Sequence, residues 1–298
     1  MKNIGLIVPP LTPFTDKLTV DYASLSRQID YIINDCKASM IVAAGVEAQE
    51  YHYLSFDQRK ELVSKTIEFV GGRCPVAAGV SHPNVKTVLE LAEFAKKQGA
   101  TAIQLLAPLR PFGGPPSDGD LAAYFSAVDK ETPLPIVLYL NAGPGADVSI
   151  KMTTELAKLP NVKYIKESSR DLARVSRLIA EIEYPGHAQY YTTMQMLLAT
   201  LELGGSGATM PPPGAEIARH IIDFFKAGNI TEAARIQKEF SLFPARWMHR
   251  GLTPTLKAAM KIIGRNSGDM FPPYQGVSKE EYVELEAYLK TTSLKFQK

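Results

Sequence analysis

Cysteine is scarce. The 298-residue chain holds two, Cys36 and Cys74, in different segments. That count argues against a disulfide scaffold and against a metal site built from cysteine pairs at ligand spacing. Charge of one sign is lacking too: Lys plus Arg number 33, Asp plus Glu 31, and the formal net charge is +2. Such a balance offers no particular attraction for a phosphate backbone or an anionic membrane surface, and no basic stripe runs through the chain. Neither nucleic acid nor membrane is expected as a partner. No run of about 18 uncharged apolar residues occurs, so no spanning helix is expected. The opening MKNIGLIVPPLTPF carries one lysine and an apolar run broken by Pro9 and Pro10, too short for a secretion signal. The expectation is a soluble, cytoplasmic protein. His52, His82, His187, His220 and His249 are scattered, with no H-E-x-x-H or H-x-H pair, and nothing argues for a metal. There is no G-x-S-x-G elbow, and no phosphate-binding glycine loop follows the first strand.

What the chain does have is a rhythm. Short, mostly apolar, β-branched runs alternate with longer amphipathic ones. Strands are expected near Gly5, at Ser39–Ala44, Pro75–Val80, Thr101–Ala107, Pro135–Leu140, Val162–Glu167, Ala188–Thr192 and Ser206–Met210. Each is followed by a helical segment, the sixth reading as about Arg170–Glu181 and the eighth as Ala215–Ala227. Eight strand-then-helix units call for right-handed crossovers and a parallel sheet. Closed on themselves, they describe a (β/α)8 TIM barrel of the α/β class over residues 1–228. Beyond it the pattern is helical only, at about Ile230–Leu242, Thr255–Ile263 and Lys279–Thr291, with Asn229 and Thr253-Pro254 as punctuation. Residues 229–298 are therefore read as a C-terminal helical extension packed on the barrel.

A barrel carries its chemistry at the C-terminal ends of its strands. In strand six Val162, Tyr164 and Lys166 share one face. If that face looks inward, Lys166 reaches the rim partly desolvated, and burial favours the neutral amine that attacks ketones. The plainer reading is a surface lysine at a strand end. On strand five Tyr139 sits at the rim beside it, either as a proton shuttle or as a core tyrosine. After strand two, Gly45 in Ala43-Ala44-Gly45-Val46-Glu47 permits close approach of backbone to a ligand or serves the turn alone. Glu47 orients a rim group or caps helix-start amides. Gly204-Gly205-Ser206-Gly207-Ala208-Thr209 is small and polar, suited to holding a carboxylate or simply to turning.

These residues together resemble the dihydrodipicolinate synthase and N-acetylneuraminate lyase family of class I aldolase-like (β/α)8 enzymes. The marks are Val8-Pro9-Pro10-Leu11-Thr12-Pro13-Phe14, the Tyr139 strand, Ile165-Lys166-Glu167-Ser168, the spacing to Gly204–Ala208, and Lys257-Ala258. The resemblance runs from Gly5 to about Tyr288. It implies that Lys166 forms an imine with pyruvate or another 2-keto acid, that Tyr139 passes protons, and that no separate cofactor is used. It implies a homotetramer, with a dimer as the next choice.

Departures from the family pattern narrow the function. Where members usually carry two hydroxyl residues that hold the keto-acid carboxylate, this chain has Ala43-Ala44-Gly45-Val46-Glu47. Where the synthases have a tyrosine that reaches a neighbouring subunit's site, it has Arg110, followed by a Pro111–Pro116 loop expected to reshape the mouth of the pocket. An arginine that anchors a distal carboxylate is replaced by Pro144. Dihydrodipicolinate synthesis is thus not expected, and N-acetylneuraminate cleavage is poorly supported. The expectation is a divergent lyase that cleaves, adds or dehydrates a sugar-derived or aromatic 2-keto acid. Substrate contacts are expected from Ala44, Gly45, Val46, Glu47, Gly207, Thr209 and Arg110, the last supplying the lost anionic contact, with a subunit boundary as one route. The competing reading is a non-catalytic ligand-binding or regulatory protein that has kept the barrel.

Overall fold

The structure is a computed structural model that describes residues 4–111 and 114–297. Phe112 and Gly113, within the loop expected to reshape the pocket mouth, lie outside the described residues. Eight strands alternate with eight helices: β1 (Gly5–Val8), α1 (Tyr22–Asn34), β2 (Met40–Ala43), α2 (Phe56–Val70), β3 (Val76–Gly79), α3 (Val85–Gln98), β4 (Ala102–Leu106), α4 (Asp118–Glu131), β5 (Ile136–Leu140), α5 (Ile150–Ala157), β6 (Val162–Glu167), α6 (Leu172–Leu178), β7 (Gln189–Thr192), α7 (Leu197–Glu202), β8 (Gly207–Thr209) and α8 (Gly214–Lys226). The strands form one closed parallel barrel in chain order. Three more helices follow, α9 (Ile230–Gln237), α10 (Leu252–Ile262) and α11 (Lys279–Leu289). This is the expected (β/α)8 barrel with C-terminal helices. Among the described residues no helix is long and apolar enough to cross a membrane.

The chain packs as two compact units. One is Pro75–Thr209 with the start of the chain through Gly5; the other is Leu6–Cys74 with the chain from Met210 onward. The first holds β3 to β8 and α3 to α7. Strand β5 is apolar on both faces, with all five of its residues buried, as expected of a parallel barrel strand. Register places Leu106, Tyr139, Lys166, Tyr191 and Gly207 on one level across β4 to β8. Helix α6 stops at Leu178 rather than near Glu181, and a π-turn over Ile179–Glu183 continues it. Beyond that widened turn, the Glu183 carboxylate accepts from the Tyr190 amide at 2.6 Å and from Ser206 Oγ at 3.0 Å.

In the second unit β1 pairs with β2 through Ile7–Met40 and Val8–Ile41. Helix α1 buries Leu25, Ile29 and Ile32, worth about 1.5–3 kcal/mol each. Its start is capped by the Asp21 carboxylate, which accepts from the Ser24 amide. Ser55 and Gln58 form a capping box on α2, as Ser278 and Glu281 do on α11. Asn229 caps α9 as the sequence suggests. Helix α10 begins at Leu252, three residues earlier than expected, because Pro254 falls in its first turn, where the missing N–H costs nothing.

Candidate active site

The site in the first unit is built on two neighbouring strands. Glu167, on β6, faces the helices: Arg174 of α6 donates from Nε to Oε1 at 3.0 Å, and the Tyr190 hydroxyl of β7 donates to Oε2 at 2.9 Å. Alternation along the strand then turns Lys166 to the barrel interior. There it is 1% exposed. Its Nζ donates to the Thr192 carbonyl at 3.1 Å and lies 5.7 Å from the centroid of the Tyr139 ring. A carbonyl accepts only from an N–H, so this bond orients the amine without occupying the nitrogen lone pair. Removal from water opposes the charged form of an amine, and the neutral form is the nucleophile.

Tyr139 is buried beside it on β5. Its hydroxyl oxygen accepts from Asn141 Nδ2 at 3.0 Å, and Ser168 Oγ stands 3.5 Å away. On the other side Tyr191 shares the level of Lys166, buried, with its hydroxyl donating to Gln189 Oε1 at 3.2 Å. Burial pushes the Tyr191 phenol up, and burial together with the Glu167 charge does the same to Tyr190. Both remain neutral at ordinary pH.

Gly207, expected at the substrate, closes this level. A Cβ there would lie 1.9 Å from the Gly5 carbonyl oxygen, so only glycine allows β8 to approach the start of β1. Two residues on, Thr209 falls on the same face, 1% exposed, and its hydroxyl has no hydrogen-bond partner. A buried hydroxyl left so costs about 1–3 kcal/mol, which a bound acceptor or donor would offset.

The remaining expected residues lie on the segments that follow β2 and β4. Ala44, Gly45, Val46 and Glu47 belong to the second unit. Ala44 is buried with φ 52°, a left-handed conformation uncommon for alanine. A Cβ on Gly45 would come within 2.6 Å of the Pro9 Cβ and 3.0 Å of Glu47 Oε2, so glycine lets this loop lie against the proline turn. Arg110, in the first unit, is half exposed, and its NH2 sits 2.6 Å from Asp120 Oδ2. That ion pair, with the Ser117 amide, holds the Asp120 carboxyl down at about 2. Arg110 lines a cavity of about 330 Å³ with Pro83, Asn84, Leu109 and Tyr124, which includes neither Lys166 nor Tyr139.

Reading the sequence alone left four participants unassigned: the Thr192 carbonyl, Asn141, Ser168 and the Glu167 pair of outer contacts. Ser168 and Glu167 stand beside Lys166 in sequence, and their polarity at a strand end was the available signal. A main-chain carbonyl carries no such signal. In the second unit a buried ion pair between Glu50 and Lys257 was also missed as a contact. Among the described residues no group of three or more His, Cys, Asp or Glu is placed to hold a metal ion.

Against known proteins, the dihydrodipicolinate synthetase family matches residues 2–292 of the chain. A 4-hydroxy-tetrahydrodipicolinate synthase of Heliobacterium modesticaldum is 29% identical over 298 residues, covering 97% of this chain and 95% of that protein. A crystal structure of a dihydrodipicolinate synthase is 27% identical with a TM-score of 0.84, over 96% of this chain and 98% of the other. YagE of E. coli K12, a prophage protein of the dihydrodipicolinic acid synthase family solved in complex with pyruvate, shares the fold. Its TM-score is 0.87 at 23% identity, over 96% of this chain and 97% of the other.

Proposed function

The chain belongs to the dihydrodipicolinate synthetase family, lyase-type enzymes that act on 2-keto acids through a lysine imine, and we propose that here Lys166 is the imine-forming residue and Tyr139 its proton carrier. In this reading the Lys166 nitrogen attacks the C2 ketone and the oxygen takes up a proton through the Tyr139 hydroxyl. Loss of that oxygen as water leaves the iminium. The cationic carbon then accepts the electron pair of the C3–C4 bond, releasing an aldehyde, or of the C3–H bond, after which the C4 hydroxyl departs as water. In the cleavage route the C4 hydroxyl gives up its proton to become the aldehyde oxygen, and the enamine left behind takes a proton at C3. In the dehydration route the enamine pair expels the C4 hydroxyl, protonated as water, and leaves a C3=C4 unsaturated iminium. Hydrolysis of the imine then frees the lysine. Thr209 supplies a hydroxyl to the bound keto acid. The substrate is a sugar-derived or aromatic 2-keto acid, and the assembly a homotetramer, with sedimentation analysis as its check.

One observation carries the assignment: Lys166 is a fully buried lysine turned to the interior, beside a tyrosine whose hydroxyl is held by Asn141. The test is borohydride trapping with pyruvate and longer 2-keto acids, followed by intact mass and peptide mapping. An increment on the Lys166 peptide, lost in Lys166→Ala, is expected. An increment on another lysine, or none in folded protein, overturns the assignment.

A further inference from the structure

Beyond the ends of β5 and β6 lies a cavity of about 440 Å³ whose wall includes Asn141, Gly143, Asp147, Ser168, Ser169 and Arg170. Neither Lys166 nor Tyr139 lines it, and its link to them runs through two wall residues: Asn141 donates to the Tyr139 hydroxyl, and Ser168 stands 3.5 Å from it. Small residues leave it open, and none of its lining side chains is aromatic.

The charges around it are unequally satisfied. Arg174 is held by Glu167 at 3.0 Å and by the Val148 carbonyl at 2.8 Å, so its charge is met within the wall. Arg170 is not met in that way. Its Nε donates to Gln195 Oε1 at 3.1 Å, a neutral amide beyond β7, and no carboxylate pairs with it among the described residues. Gln195 fixes the direction of this exposed guanidinium without adding a charge of its own. The planar fork of an arginine in this state suits a carboxylate in two-point contact. Asp147 is exposed, has no ion-pair partner among the described residues, and suits a donor such as a hydroxyl. Arg110, by contrast, spends its charge on Asp120 in a separate cavity.

We infer that Arg170 is a specificity-determining residue that receives the distal carboxylate of a hydroxylated 2-keto dicarboxylic acid. The inference rests on the Lys166 imine proposed above. It narrows the substrate to a diacid and disfavours an aromatic tail, for which this wall offers no stacking partner.

The experiment measures half-saturation of the borohydride-trapped Lys166 adduct for chain-matched keto acids: 2-oxopentanoate as monoacid and 2-oxoglutarate as diacid. In the native enzyme the diacid saturates at lower concentration. Arg170→Met lowers the diacid preference, taken as the ratio of the two half-saturation values, by about ten- to a hundredfold, the loss of one charge-assisted contact. Arg170→Lys recovers part of it. An unchanged ratio in Arg170→Met, or a native enzyme that prefers the monoacid, overturns the role of Arg170 while the imine stands. No adduct from either acid in folded native protein overturns the imine, and this inference falls with it.

Discussion

Replacing Lys257 by methionine tests whether the buried pair in the second unit holds that unit together. The side chains of Lys257 and Glu50 are 3% and 2% exposed and meet at 2.8 Å. Glu50 Oε1 has no well-aligned hydrogen-bond donor, so the contact with Lys257 is chiefly coulombic. The Lys257 ammonium also donates to the Thr12 carbonyl at 2.8 Å and the Asp269 carbonyl at 2.9 Å, while the Thr12 amide donates to Glu50 Oε2 at 2.6 Å. Methionine fills most of the volume but leaves a buried carboxylate without its cation, and two carbonyls without a donor. Breaking such a pair from one side costs about 3–5 kcal/mol. At about 2–4 °C per kcal/mol for chains of this order of size, the melting temperature falls by roughly 10 °C at neutral pH. Burial holds the Glu50 carboxyl above its ordinary range, against the pull of Lys257. Without Lys257 it rises further. A carboxyl raised in the folded state contributes stability that is present below its unfolded pKa and lost as pH rises through its folded one. The deficit of Lys257→Met therefore grows between pH 5 and pH 8, and is reduced at all pH values in the Glu50→Gln, Lys257→Met double variant. Thermal unfolding followed by circular dichroism at the two pH values reads both effects. A fall of under 2 °C, or an equal fall at pH 5 and pH 8, refutes the reasoning.

Other perturbations are less involved. Tyr139→Phe keeps the ring beside Lys166 but removes the hydroxyl, so turnover falls about 10²–10⁴-fold, while a borohydride adduct still forms on the Lys166 peptide under long incubation. An unchanged turnover rate would remove Tyr139 from the mechanism. Gly207→Ala drives a methyl to within 1.9 Å of the Gly5 carbonyl oxygen, and the variant is expected to be insoluble or to melt well below the native protein; a melting point within 2 °C of native would show that β8 shifts freely. Arg110→Ala breaks an ion pair that is half exposed on both sides, and solvent-screened pairs of this kind add little to stability, so its melting temperature is near native. Weaker keto-acid binding in that same variant is the result that would place Arg110 at the substrate.

The barrel was legible because its evidence is local and repeated. A strand such as Ile136–Leu140, followed by a capped helix, announces itself in five or six residues, and eight such units leave one economical closure. That Lys166 and Tyr139 are neighbours was legible for a related reason: a period of two fixes which residues share a face, and the register of β5 with β6 sets them side by side. The limits of sequence reading show in the arginines. Arg110 attracts notice by standing where a family tyrosine is missing, yet Asp120, ten residues away across a helix start, takes its charge. Arg170 follows Lys166 by four residues and draws no notice, because nothing in the sequence says that Gln195, 25 residues on, will hold it with a neutral group. Whether a cation is spent or available depends on its partner in space, and single-sequence patterns do not encode that partner.

The two faces of β6 also bear on how Lys166 would serve in the proposed imine chemistry. An amine that attacks a carbonyl needs a fixed approach, and a lysine has a long, flexible stem. Here the constraint is applied from behind. Glu167, the next residue, is gripped by Arg174 and Tyr190, and Tyr190 lies two residues before Thr192 on β7. The same contacts that bind β6 to β7 on the outside therefore fix the Thr192 carbonyl relative to Lys166 Nζ on the inside. In the proposed reaction a strand that alternates between an outward carboxylate and an inward amine would convert helix packing into alignment of the nucleophile, with Glu167 acting on Lys166 only through the Tyr190 and Thr192 strand.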